Sequence, residues 1–149
     1  MANVSREVDV LQRLTRDLLA VAMTSVGQTT DVSMPQMRLL FAVGDAGSMS
    51  CGALARELGV GGSSVTRLAD RLVASGHLDR RPGADNRSLV LLSLTEAGQS
   101  TIDGVLASRA RVLRDALARL DDTTRTGLLT GADALHDALS PRSTETAGR

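Results

Sequence analysis

The chain has 149 residues, 42% hydrophobic and 23% charged, with 17 basic and 17 acidic side chains and a formal net charge of zero. That composition suits one ordinary domain with a real core. It excludes a disordered polyelectrolyte and a globally basic nucleic-acid coat, so any nucleic-acid binding must rest on a local excess of charge.

All 17 basic residues are Arg and none is Lys. Genome composition explains that, and so does a use for the planar guanidinium fork on phosphates and guanine edges. Phe41 is the sole aromatic residue, which argues against binding by stacking on unpaired bases. Cys51 is the sole cysteine, which rules out an intrachain disulfide and a Cys-rich zinc site and fits a reducing compartment. No apolar run approaches 18 residues, and MANVSREVDV lacks the pattern of a signal peptide. A soluble cytoplasmic protein with no membrane partner is expected.

From about Ser5 to Val26, Val8, Leu11, Leu18, Val21, Ala22 and Val26 recur at helical spacing, with charged residues opposite. Gly27 to Thr30 is expected to break this helix. Ser33 as N-cap and Pro35 in the first turn restart one that ends near Ala46. Ser48 to Ser50 is expected as a short turn, with Ser50 capping a helix over Cys51–Leu58 and Gly59 stopping it. Val60-Gly61-Gly62 forms the next turn. The following helix, capped by Ser63 or a neighbour, runs to about Ser75 with Val65, Leu68, Leu72 and Val73 inward.

His77 to Arg81 and Arg87 to Leu94 suit two short strands joined by the turn residues Pro82 to Asn86. Thr95 caps a helix to about Leu120, and Asp121-Asp122 cap a last one with Leu128, Ala132, Leu135 and Leu139 on one face. Ser140 to Arg149 is expected to be a frayed tail. The fold class is therefore mainly α with a small β-hairpin wing. A winged helix-turn-helix lobe over about 33–95 carries flanking helices over about 5–30 and 96–139, all within a single domain spanning 1–149.

The central stretch carries the candidate chemistry. Residues 50–94 hold six Arg (56, 67, 71, 80, 81, 87) against Glu57, Asp70, Asp79 and Asp85, a net of +2. Arg67 and Arg71 are four apart, on one face of the second helix and away from its apolar positions. Gly62, Ser63, Ser64 and Thr66 open that helix. Small and hydroxyl residues there admit a close backbone, offer N–H groups to phosphate and hydroxyls to phosphate or base edges. Ser63 serves either as a cap or as a contact. Arg80, Arg81 and Arg87 flank the wing. Arg87 suits either a narrow minor groove or a pair with Asp85.

The stretch from Pro35 to Gly98 resembles the MarR family of bacterial transcription regulators. The matching residues are Pro35-Gln36, Leu39-Leu40, Leu54-Ala55, Val65-Thr66-Arg67, Asp70-Arg71-Leu72, Gly76 with Leu78, and Arg80-Arg81. Asp85-Asn86-Arg87, Leu92, Leu94-Thr95 and Gly98 complete the series. The Asp-x-Arg wing followed by Leu-x-Leu-Thr-x-x-Gly is the most specific part. The resemblance implies a homodimer, paired through the terminal helices, that binds pseudo-palindromic double-stranded DNA in the bacterial nucleoid and usually represses. Val8, Leu11 and Leu18 with Leu128, Ala132, Leu135 and Leu139 would make the dimer. Half-sites would lie about 10 bp apart. Arg87 would enter the minor groove, oriented by Asp85. Thr66, Arg67 and the residues before them would face the major groove, and Arg71 would touch phosphate or brace the lobe.

The resemblance also implies release by a small ligand, by cysteine oxidation or by a metal. The residues identify none of these. Cys51 suits a small helix-start residue, and His77 and His136 lie far apart in sequence, so no metal site is expected. Met23, Met34, Met37 and Phe41 suit either a lipophilic cleft or core packing. No catalytic constellation and no Gly-rich cofactor loop is present, so neither enzyme activity nor a cofactor is expected. A winged-helix module that binds protein rather than specific DNA is the alternative.

Overall fold

The computed structural model describes residues 2–83 and 89–139. Helix α1 spans Ala2–Thr29, α2 Met34–Ala46, β1 Ser48–Ser50, α3 Cys51–Leu58 and α4 Gly62–Ala74. Strands β2 (Leu78–Pro82) and β3 (Val90–Leu94) follow, then α5 (Glu96–Leu117) and α6 (Asp122–Leu139). The chain divides into two compact units, residues 1–111 and 112–149.

The first unit holds the core. Met37, Leu39, Leu40 and Val43 of α2, Leu54 of α3, and Val65, Ala69 and Leu72 of α4 are closed off from solvent together with Leu78, Leu92, Ile102 and Val105. These residues recur at three- and four-residue spacing on their helices, so each helix turns one stripe inward. Met37 belongs to that core, with Met34 and Phe41 packed against it, whereas Met23 is exposed. The Arg109 guanidinium lies over the Phe41 ring at 5.9 Å. Cys51 is a half-buried free thiol packed on the same cluster.

Caps follow the side chains expected of them, with one exception. The Ser33 backbone N–H donates to Gln36 Oε1 at 3.0 Å, and Pro35 occupies the first turn of α2. Ser50 Oγ accepts from the Ala53 N–H at 3.2 Å, and Gly59 ends α3 at φ 66°, a left-handed conformation that favours glycine. Thr95 Oγ1 accepts from the Gly98 N–H at 3.0 Å, and Asp121 Oδ1 from the Thr124 N–H at 2.9 Å. The exception is α4, whose N-cap is Gly61. Gly62, expected in the turn, is its first residue and Ser63 lies within it, which frees the Ser63 hydroxyl from a capping role.

Several boundaries differ from expectation. Gly27 to Thr30 do not break α1 at Val26. The helix continues to Thr29, with Thr29 Oγ1 donating to Ser25 O at 2.6 Å and the Thr30 N–H to Val26 O at 3.1 Å. Val26 is only 2% exposed, and that packing offsets the cost of about 1 kcal/mol for a helical glycine. Ser48 to Ser50 form a strand rather than a turn. They pair antiparallel with Leu91 to Ser93, giving the sheet order β1-β3-β2. Strand β2 runs one residue later than expected, with Leu78 opposite Leu94 and Pro82 opposite Val90. Helix α5 ends at Leu117 because the Arg119 and Leu120 N–H groups turn to the carbonyls three residues back.

Every residue of α1 from Arg6 to Ala20 is exposed, including Val8, Leu11, Leu14 and Leu18. In the second unit α6 buries nothing, and Leu128, Leu129, Leu135 and Leu139 are exposed. Among the described residues no helix is long and apolar enough to cross a membrane. The tail over residues 140–149 lies outside the described residues.

Candidate nucleic-acid interface

The helix-turn-helix is α3, the turn Gly59–Gly61 and α4. In the turn the Val60 N–H donates to Ala55 O at 3.1 Å, which closes the end of α3. Gly61 O then accepts from the Ser64 and Val65 N–H groups at 3.0 and 3.2 Å and starts α4. The N–H groups of Gly62 and Ser63 precede those first bonds, so the exposed helix start presents free donors. Val65, Ala69 and Leu72 anchor α4 in the core at four- and three-residue intervals. Helical geometry then turns Ser63, Thr66, Arg67 and Arg71 outward, and all four are exposed.

Ser64, Arg67, Leu68 and Arg71 line a shallow open groove of about 270 Å³ along α4. The spacing of three, four and seven places one hydroxyl, one apolar side chain and two guanidinium groups on one stripe. The Thr66 hydroxyl donates back to Gly62 O at 3.0 Å. Its remaining capacity toward a ligand is therefore an acceptor lone pair and a methyl group.

The cations expected on the wing behave differently from those on α4. Arg80 pairs with Asp70, tying β2 to the middle of α4. Arg81 lies 3.5 Å from Asp79 on the same strand. Both arginines remain partly exposed, yet each has a carboxylate beside it. Arg67 and Arg71 have no ion pair among the described residues. Two of the cations without an ion pair among the described residues thus stand together on the outer face of α4. Asp85 and Arg87, expected at the wing tip, lie outside the described residues.

Sequence reasoning missed the Asp70–Arg80 pair, the wall supplied by Leu68 and the burial of Ala69. A signal for the last existed, since Ala69 sits four residues after Val65 and three before Leu72. The pair had none, because ten residues separate its members across a chain reversal. His77, half-buried, places Nδ1 2.8 Å from Ser75 Oγ at the end of α4.

Comparison with known proteins places this geometry. Residues 30–88, which include all of α2, α3 and α4, match the model of the MarR family. An HTH-type transcriptional regulator of Mycobacterium tuberculosis, MT0903.1, is 31% identical over 107 residues, which is 72% of this chain and 75% of that one. The crystal structure of RV1404 from the same species superposes with a TM-score of 0.82 at 29% identity, covering 91% of this chain and 92% of that one. A MepR mutant of S. aureus bound to an oligodeoxyribonucleotide has a TM-score of 0.69 at 13% identity, covering 89% and 97%, and shares the fold. With its three-stranded wing sheet and its exposed, cationic second helix, the chain belongs to the MarR family of helix-turn-helix DNA-binding transcription regulators.

Proposed function

We propose that the protein acts as a homodimer that binds pseudo-palindromic duplex DNA through α4, represses transcription there, and is released by a small ligand. The observation that carries the DNA contact is the outer face of α4, where Arg67 and Arg71 stand without ion pairs beside Ser64 and Leu68. Gly62, Ser63 and Thr66 bring the backbone close to the duplex. Arg71 takes phosphate, and Arg80, held by Asp70, stiffens the wing against α4. Arg87 would enter the minor groove, with Asp85 orienting it. The structural neighbour bound to an oligodeoxyribonucleotide supports DNA binding by this fold.

Two exposed apolar stripes support the dimer. Val8, Leu11 and Leu18 form one on α1, where fifteen consecutive residues lack cover. Leu128, Leu135 and Leu139, with Ala132, form the other on α6. Helices in water are marginal without tertiary packing of the apolar face, and covering each Leu is worth about 1.5–3 kcal/mol. A second copy supplies identical stripes for both. Repression and ligand release follow the family.

The deciding experiment is selection of bound duplexes from a library of genomic fragments, followed by a screen for small molecules that release them. A pseudo-palindromic consensus is expected, with affinity falling steeply as salt rises, because each phosphate contact releases counterions. Absence of any enriched sequence together with a flat salt dependence would replace this reading with the protein-binding module.

A further inference from the structure

The end of α4 and the start of α5 meet at a joint that has no freedom to spare. A Cβ on Gly98 would stand 2.2 Å from His77 O and 3.2 Å from both His77 C and Leu94 Cδ2. Gly98 is buried in the first turn of α5, so the requirement there is close approach and not an unusual backbone angle. Thr95 closes the same joint. Its hydroxyl donates to Gly76 O at 2.6 Å and accepts from the Gly98 N–H, while its own N–H donates to His77 O at 3.1 Å. Gly76 turns the corner at φ 77°.

On its other side the corner is bonded to α4. The His77 N–H donates to Leu72 O at 2.8 Å, the Gly76 N–H to Val73 O at 3.0 Å and the Ser75 N–H to Arg71 O at 2.9 Å. The carbonyl that Gly98 presses on therefore belongs to a residue whose own N–H is held by the last turn of α4. Restoring an ordinary contact to a Cβ at Gly98 requires the His77 carbonyl and the first turn of α5 to part by about 1 Å. Leu72 lies about 13 Å along the helix from Ser63, so such a shift tilts the exposed turn by a few degrees. Hydrogen bonds to DNA tolerate only a few tenths of an ångström.

We propose that Gly98 and Thr95 are positioning residues for DNA recognition. Without touching DNA, they fix the angle of α4 on α5, and through it the separation of the two recognition helices. This rests on the dimeric DNA reading above. The joint acts on spacing, so its loss changes which half-site separation is preferred rather than weakening all DNA equally.

The test compares Gly98→Ala, Thr95→Val and Thr95→Ser with the wild-type protein. The probes are the duplex that wild type selects and versions with its central spacer lengthened or shortened by one and two base pairs. Light scattering and thermal denaturation report the dimer and the fold. Gly98→Ala and Thr95→Val are expected to remain folded dimers and to lose at least tenfold in affinity on the original spacer. Their loss should shrink at least threefold on an altered spacer, and Thr95→Ser should stay within threefold of wild type throughout. If Gly98→Ala does not fold, the Thr95 pair decides alone. Folded variants with wild-type affinity and spacer optimum, or with an equal loss on every spacer, would overturn the proposal. A wild-type protein that selects no duplex would instead remove the DNA reading, and this proposal with it.

Discussion

The sharpest consequence of the proposed interface concerns Arg67 and Arg71, which share one stripe of α4 and to which the proposal gives different tasks. Both are exposed and neither has an ion pair among the described residues, so truncation to Ala should leave stability within about 0.5 kcal/mol of wild type. Arg67 stands nearer the helix start, where recognition helices meet base edges. A bidentate contact to guanine discriminates by about 1–3 kcal/mol, or about 2–6 kcal/mol for two copies in a dimer, which is roughly 30-fold to 25,000-fold in affinity. Arg71, one turn further along, is assigned to phosphate. Its removal should weaken all duplexes alike and lower the slope of log affinity against log salt by about 0.9 per copy, near 2 for the dimer. Fluorescence anisotropy on the selected duplex, on single-base variants and over a salt series separates the two. Arg67→Ala should flatten discrimination at one base pair per half-site, and Arg71→Ala should mainly change the salt slope. Unchanged affinity, specificity and slope in both folded variants would refute the assignment of this face to DNA.

Three further outcomes test other parts of the structure. Leu92, fully buried on the central strand of the sheet, should cost about 2–5 kcal/mol on truncation to Ala, measured by urea unfolding. A cost below about 1 kcal/mol would show that the strand is not the lobe's inner wall. Deleting residues 2–24 should give an aggregated or monomeric protein by light scattering, because the remaining apolar stripes lose their partner. A well-folded DNA-binding monomer would contradict the dimer. Asp121 caps α6, and the Thr124 N–H and then the Thr124 hydroxyl hold its carboxyl below the ordinary value. A depressed pKa stabilises the folded form above the unfolded-state value and loses that effect as pH falls through the folded one. The cap should therefore persist at neutral pH and fail only in acid below the usual carboxylate range. An NMR titration of Asp121 at or above the ordinary carboxylate pKa would contradict the cap.

Local chemistry set most of the element list. Ser33, Ser50 and Thr95 start helices where a hydroxyl can satisfy a free N–H, and Gly59 and Gly76 end them where only a positive φ continues the chain. Three- and four-residue spacing of Leu and Val marked the buried faces of α2 to α4, and with them the outward placement of Arg67 and Arg71. These features depend on neighbours within one or two turns, so a linear reading contains them.

Tertiary structure decided what depends on distant neighbours. Ser48 to Ser50 became a strand because Leu91 to Ser93 offered a backbone edge more than forty residues away. Helix α1 ran past Gly27 because Val26 found a core to enter. Asp70 took Arg80 out of the pool of free cations, because the return of β2 brought the two together. Gly98 carries the same lesson. In sequence it is one small residue in a helix, and only the approach of His77 O shows why a Cβ has no place there. The sequence determined which helix faces outward with its arginines. The packing of that helix against α2, α3 and β2 decided which of the cations have a carboxylate beside them, because long-range contacts fix positions that local preferences leave open.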